Sequence, residues 1–160
     1  MDQLILRTKW PGRAYGRLKP KTMTDAMLDV RAFMNEFGQT KSVELYSDLV
    51  REELEELLES EPGMHRYKEA ADLIFVVAGL LESFNLDVMD VENMFRAVCT
   101  SNMSKASDNY EIVQNWIEVN KLDARVETTK SGRYIAVDNK SNKILKGPSY
   151  VAATLTYNPY

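Results

Sequence analysis

Arg51-Glu52-Glu53-Leu54-Glu55-Glu56-Leu57 and, beyond a Pro62-Gly63 break, Lys68-Glu69-Ala70-Ala71-Asp72-Leu73 are the two stretches whose reading decides the fold. Each holds two carboxylates three residues apart, Glu53 with Glu56 and Glu69 with Asp72, so each pair falls on one face of a helix. The second pair opens an apolar run, Leu73 to Leu81, which reads as a helix buried on nearly every side. Carboxylates at the start of such a helix cost several kcal/mol unless positive charge meets them. Lys68 and Arg66 sit at the same helix start. Two facing helices giving two carboxylates each would make an oxygen cage for a hard cation.

A helical wheel sorts the acids of the first stretch. With Leu54 at zero and about 100° per residue, Val50, Leu57 and Leu58 fall within about 40° of it. Glu53 and Glu56 fall near about 260° and 200°, with Leu49 between them. Glu55 and Glu59 then face water, and Glu52, one turn from Glu56, is intermediate. The bland alternative is that the whole Glu-rich face is solvated. Against it stand Glu69 and Asp72, for which the apolar helix has no exposed stripe. The only histidine is His65, so Glu-x-x-His pairs of the di-iron kind are absent. Zinc favours Cys and His, whereas a carboxylate cage suits Mg²⁺ or Mn²⁺. His65 and Cys99 read as structural rather than as ligands.

The flanking sequence supplies the remaining elements. Residues 1–21 carry Pro11, Gly12, Gly16 and Pro20 and read as an irregular basic arm. Six basic residues against Asp2 give that arm a local +5, leaving −9 for the rest of a chain whose net charge is −4. Thr22 begins a helix with Asp25 in its first turn. Met23, Met27, Val30, Met34 and Phe37 form its apolar face, and Gly38 stops it. The second helix runs from about Ser42 to Ser60 and the third from about His65 to Phe84. Asn85 ends the third, and Asp87 caps a fourth with Val91, Met94, Phe95 and Val98 inward. A short amphipathic helix follows over Asp108–Asn120. Arg125–Thr129 and Tyr134–Asp138 alternate around Lys130-Ser131-Gly132-Arg133 and read as a hairpin, with a further short strand at Lys143–Lys146. The expected organisation is a basic arm (1–21), an α-helical catalytic bundle (22–106) and an α+β appendage with tail (107–160).

With 160 residues and 44% hydrophobic content the chain is about one domain and can bury a core. Its mixed charge gives no general nucleic-acid footprint, so no nucleic-acid partner is expected. One cysteine excludes an intrachain disulfide and suits a cytoplasmic location. Leu4-Ile5-Leu6 is too short for a signal peptide, and Leu73–Leu81 is half of a membrane span, so no membrane association is expected.

These motifs resemble a known family. Glu53-x-x-Glu56, twelve intervening residues and Glu69-x-x-Asp72 are similar to the signature of the all-α NTP pyrophosphatases. Phe33-x-x-x-Phe37-Gly38, Leu49-Val50-Arg51-Glu52-Glu53, Ser101-Asn102-Met103-Ser104-Lys105 and Lys143-Ile144-Leu145-Lys146-Gly147-Pro148-Ser149-Tyr150 resemble the phage-type branch, MazG-like or phosphoribosyl-ATP-pyrophosphohydrolase-like. The resemblance covers about residues 22–155 and departs in two places. Relatives often carry a histidine where this chain has Met34. Many also join the Asn-Met-Ser-Lys motif to the tail by a short loop, where here 37 residues intervene.

The resemblance implies a mainly α fold, a four-helix core with a small C-terminal helix plus β-hairpin appendage. It implies hydrolysis of a (d)NTP to (d)NMP and pyrophosphate in nucleotide-pool editing. Glu53, Glu56, Glu69 and Asp72 would be ligands for Mg²⁺, with Mn²⁺ as substitute. Glu52 and Glu53 are the catalytic candidates, Glu52 for positioning or deprotonating water. Asn102, Lys105, Lys146, Tyr150 and Gln39 are candidate substrate contacts, and a homodimer or homotetramer is expected. A deoxypurine such as dGTP is the favoured substrate. The alternatives are a dUTP-specific diphosphatase and a non-catalytic helical module that holds a metal.

Overall fold

The computed structural model describes residues 22–155, so the basic arm lies outside the described residues. The described chain forms five helices and one two-stranded antiparallel sheet. It divides between Ser83 and Phe84 into two compact units.

The N-terminal unit holds α1 (Met23–Phe37), α2 (Val43–Glu59) and α3 (Met64–Ser83). Local chemistry sets the ends of these helices. Thr22 and Asp25 form a reciprocal capping box, with the Thr22 side chain accepting from Asp25 N–H and the Asp25 side chain from Thr22 N–H. Gly38 closes α1 in the left-handed region at φ 64°, where a side chain would be strained. Ser42 caps α2 through Leu45 N–H.

Helix α3 packs against both α1 and α2. Met27, Val30 and Met34 of α1 are buried, each contributing about 1.5–3 kcal/mol by leaving water. Phe37, expected on that buried face, is 65% exposed and stacks on Phe33 instead. Tyr46 of α2 lies directly over Gly79 of α3: a Cβ at Gly79 would sit 2.0 Å from the ring. The missing side chain lets α2 and α3 approach closely.

Helix α3 is not apolar-buried on every side, as its sequence suggests. Its inner line is Glu69, Val76, Ala78, Gly79, Glu82 and Ser83, while Ile74 and Phe75 are exposed. Small residues, rather than the largest apolar ones, face the neighbouring helices. Glu82 is fully buried and bound by Arg31 at 2.7 Å and Lys41 at 3.2 Å. Burial pushes its carboxyl up, but the Arg31 and Lys41 hydrogen bonds outweigh that and hold it below the ordinary carboxylate range.

The C-terminal unit holds α4 (Val88–Met103), α5 (Tyr110–Val119), β1 (Ala124–Thr128) and β2 (Tyr134–Asp138). Asp87 and Asp90 form the capping box that starts α4. Val91 is buried, but Phe95 and Val98, expected inward, are 60% and 42% exposed. A helical period marks an apolar face; it does not supply what covers that face. Strand β1 pairs with β2 in the register Val126 to Ala136, and the Lys143–Lys146 segment adds a single bridge, Ile144 to Val137. Val113, Ile117 and Ala136 form the core under α5, with Trp116 and Leu145 packed around it. Arg133 ties the hairpin to the end of α4 by donating to Asp108 at 2.8 Å and to the Ala106 carbonyl. No helix among the described residues is long and apolar enough to cross a membrane.

Candidate metal centre

The inner stripe of α2 runs through Tyr46, Leu49, Val50, Glu53, Leu57 and Ser60, all buried or half-buried. Glu53 therefore points where apolar residues point. Across from it, the first turns of α3 bring in Glu69, only 1% exposed, and Asp72, 40% exposed at its side chain. One carboxylate oxygen from each of Glu53, Glu69 and Asp72 lies within 4.8 Å of the others. Two helices of one unit thus converge three acids on one point.

Like charges so close repel, and the site holds one resident cation against that. The Lys68 ammonium donates to Asp72 at 2.7 Å and to Glu69 at 3.0 and 3.3 Å. Those hydrogen bonds, to Asp72 first and then Glu69, push its pKa above the ordinary lysine value. His65 Nδ1 lies 3.1 Å from the same Glu69 carboxylate. Arg66, the other basic residue of this turn, donates instead to the Ser60 carbonyl at the end of α2.

Glu53 is the unsatisfied member. Its Oε2 is buried and has no hydrogen-bond partner among the described residues. Its pKa is raised, by burial first and then by the charges of Asp72, Glu56 and Glu69, with Lys68 only partly opposing them. A buried carboxylate oxygen without a donor, facing two further carboxylates, has the chemistry of a hard divalent cation site. The Lys68 ammonium stands in for part of that charge. All donors are oxygens, as Mg²⁺, Mn²⁺ or Ca²⁺ require.

The other expected site residues are placed as follows. Glu56 is exposed and lies outside the three-oxygen group, although its charge is felt at Glu53. Glu52 is exposed on the outer face of α2. Gln39 is half-buried just beyond α1, with its backbone N–H on the Met34 carbonyl. Cys99 is exposed on α4. Asn102 Nδ2 donates to the Val98 carbonyl one turn back on its own helix, at 3.0 Å. Lys105 and Lys146 line one pocket of the C-terminal unit, with Lys146 5.0 Å over the Tyr150 ring. The Tyr150 phenol is shifted down, by its hydrogen bond with Ser101 first and then by Lys146 and Lys105.

Sequence reasoning fixed on Asn102 and Lys105 and passed over the two serines between them and beside them. Ser101 Oγ donates to the Val151 carbonyl at 2.8 Å, and Ser104 Oγ accepts from Val151 N–H at 2.8 Å. The Ser-Asn-Met-Ser-Lys motif therefore clamps the tail that follows Lys-Gly-Pro-Ser-Tyr. The repeated serine three residues apart was the available signal, since both fall on one side of the helix end.

A family model described as phosphoribosyl-ATP pyrophosphohydrolase matches residues 21–102. It spans just over half of the chain, from α1 to the end of α4, and includes Glu53, Glu56, Glu69 and Asp72. None of the curated proteins and none of the solved structures compared matches the chain.

Proposed function

The chain belongs to the phosphoribosyl-ATP pyrophosphohydrolase family, within the all-α NTP pyrophosphatase superfamily, and from that premise we propose that it is a Mg²⁺-dependent nucleotide pyrophosphohydrolase acting on a (d)NTP. The family is one of hydrolases acting on anhydrides. The observation that carries the finer reading is the buried, partnerless Glu53 Oε2 among the carboxylates of Glu69 and Asp72.

Glu53, Glu69 and Asp72 would hold the cation, and Glu56, one turn along α2, would join them by a side-chain rotation. A divalent ion bound there neutralises phosphate charge and lowers the pKa of water. The residues of the chain do the rest. Lys68, 63% exposed at its side chain, leaves the carboxylates and turns to a phosphate. Burial and acidic neighbours raise the proton affinity of Glu53 only while the cation is absent; a bound cation would favour its carboxylate form as a ligand, which leaves the proton of the attacking water to Glu52. Glu52 is assigned to orient that water. Water adds to phosphorus, the bridging α–β oxygen leaves on pyrophosphate, and (d)NMP is the second product.

Lys105 is assigned to a phosphate of the substrate and Asn102 to a sugar or phosphate oxygen, Lys146 and Tyr150 to closing over the nucleotide, and Gln39 to the base pocket. A deoxypurine triphosphate such as dGTP is the proposed substrate, and pool editing the proposed role. A homodimer or homotetramer is also proposed, supported by exposed Leu54, Leu58, Ile74 and Phe95. Elution as a monomer from gel filtration at micromolar concentration would count against it.

The experiment is product analysis with each common NTP and dNTP plus dUTP, with and without Mg²⁺. Metal-dependent release of pyrophosphate and NMP, selective for one base, is expected. Metal binding without turnover of any nucleotide would sink the enzymatic reading.

A further inference from the structure

The C-terminal unit holds a pocket built by the insertion and the segments that flank it. Helix α5 and the Lys143–Lys146 segment meet over the shared core of Val113, Ile117 and Ala136. The space left beside that core is about 350 Å³, a size at which small-ligand sites begin. Its walls include Trp116, Leu122 and Ile144, and its charged members are Lys105, Lys143 and Lys146. Among the described residues no carboxylate lines it.

The backbone around it is fixed. Leu145 N–H donates to the Ala136 carbonyl at 2.8 Å, and Ile144 bridges Val137. Gly147 lies beside the carbonyl of Lys105, where an added Cβ would sit 3.5 Å from it, so the segment after α4 and the tail run close together here. Among the described residues none of the three lysines makes an ion pair. Most ammonium groups on an acidic protein find a carboxylate or spread apart. Here three of them border one apolar, Trp-walled space with no carboxylate among the described residues paired to them. An anion with a flat ring satisfies both halves of that lining: the ring covers indole and aliphatic surface, and the negative groups meet the ammoniums.

We propose that this pocket binds a nucleoside phosphate by itself, with the ring against Trp116 and the phosphates at Lys105, Lys143 and Lys146. The inference deepens the proposed function, from which it takes the ligand class, but it rests on residues of the insertion and of its two flanks and requires no metal. All of its lining residues lie beyond the family-matched segment, and Lys143 and Trp116 are its distinguishing members because the proposed function gives neither of them a role.

The test is a titration in EDTA of full-length protein carrying Trp10→Phe, which leaves Trp116 as the sole indole of a chain with two tryptophans. The probes are dGTP, dGMP, pyrophosphate and deoxyguanosine. Saturable quenching is expected, tightest for dGTP, weaker for dGMP and for pyrophosphate, and weakest for the nucleoside. Lys143→Glu reverses an exposed charge without touching the core and should weaken dGTP binding about tenfold or more. Glu53→Gln should leave it unchanged. The proposal is overturned by absence of saturable quenching, by pyrophosphate binding as tightly as dGTP, or by an unaffected Lys143→Glu. Pyrophosphate release by the same preparations in Mg²⁺ reads the enzymatic proposal separately. Nucleotide binding without turnover would support the pocket and sink the catalysis, whereas turnover with Trp116 silent would do the reverse.

Discussion

Glu53→Gln separates a metal site from an ordinary acidic surface, because the two predict opposite signs. In the metal-free protein Glu53 faces Glu69 and Asp72 within 4.8 Å, and its Oε2 has no donor. Two unit charges at that distance repel by about 3.5 kcal/mol at an effective dielectric of 20 and about 0.9 kcal/mol in bulk water. Glu53 is half-buried, there are two such neighbours, and Lys68 offsets part of the repulsion. A net relief of about 1–2 kcal/mol is therefore the reasonable figure for removing its charge. Glutamine also places an amide donor beside two carboxylates. In EDTA the variant should be more stable than wild type, its melting temperature higher by about 2–8 °C.

In Mg²⁺ the order reverses. A cation at a hundredfold its dissociation constant stabilises the wild type by about 2.7 kcal/mol, a rise of about 5–10 °C, and Glu53→Gln should lose most of it. The pH dependence has a fixed sign. A carboxyl whose pKa is raised in the folded state stabilises below its unfolded pKa, and that contribution is lost as pH rises through the folded value. Metal-free wild type should thus gain stability on acidification from neutral pH toward pH 5, relative to the variant. Calorimetry in EDTA and in Mg²⁺ at two pH values reads all of this. A variant less stable than wild type in EDTA, with its Mg²⁺ response intact, would refute the reasoning.

Glu82→Gln breaks a fully buried charge pairing but leaves Arg31 and Lys41 half-exposed and able to rehydrate, so a loss of about 1–3 kcal/mol is expected in urea unfolding at pH 7. The lowered folded pKa of Glu82 means that its stabilisation is present above the unfolded carboxyl pKa and is lost as pH falls through the folded value, so the difference should shrink in acid. Gly79→Ala drives a methyl to 2.0 Å from the Tyr46 ring and should destabilise by about 1–3 kcal/mol or more, whereas Tyr46→Phe, which removes a buried hydroxyl with no partner among the described residues, should change stability by less than about 1 kcal/mol. Ser104→Ala removes the hydroxyl that accepts from Val151 N–H and donates to the Ser101 carbonyl, and hydrogen exchange at Val151 should accelerate while that of α5 stays unchanged.

The helix ends were legible because they are local events. Thr22 with Asp25, Gly38, Ser42 and Asp87 act within one turn, and each sits at the helix end where the sequence puts it, with Asp90 completing the box at Asp87. The convergence of Glu53, Glu69 and Asp72 was legible too, since i, i+3 spacing on two successive helices survives any small error in their ends. The split between Glu53 and Glu56 was not. They differ by about 60° around α2, and which one turns inward depends on where α3 approaches. That is set by Gly79 under Tyr46, more than twenty residues further along the chain. Glu82 was passed over for the same reason: its partners lie in α1 and just before α2, and nothing beside it announces them.

Lys68 joins these two levels. From sequence it is one basic residue at a helix start; in the fold its ammonium donates to Glu69 and Asp72 and offsets part of the acidic charge felt at Glu53. A buried Glu69 carboxylate needs a cation beside it whether or not a metal is bound. An ammonium on a side chain 63% exposed meets that need in the metal-free protein, and it can swing away at small cost when a divalent ion arrives. Lys68→Met should consequently act in two directions at once: it lowers the stability of the metal-free protein and raises its affinity for Mg²⁺ in a calorimetric titration. Lowered stability together with weakened Mg²⁺ binding would mean instead that Lys68 positions the carboxylates rather than competing for them.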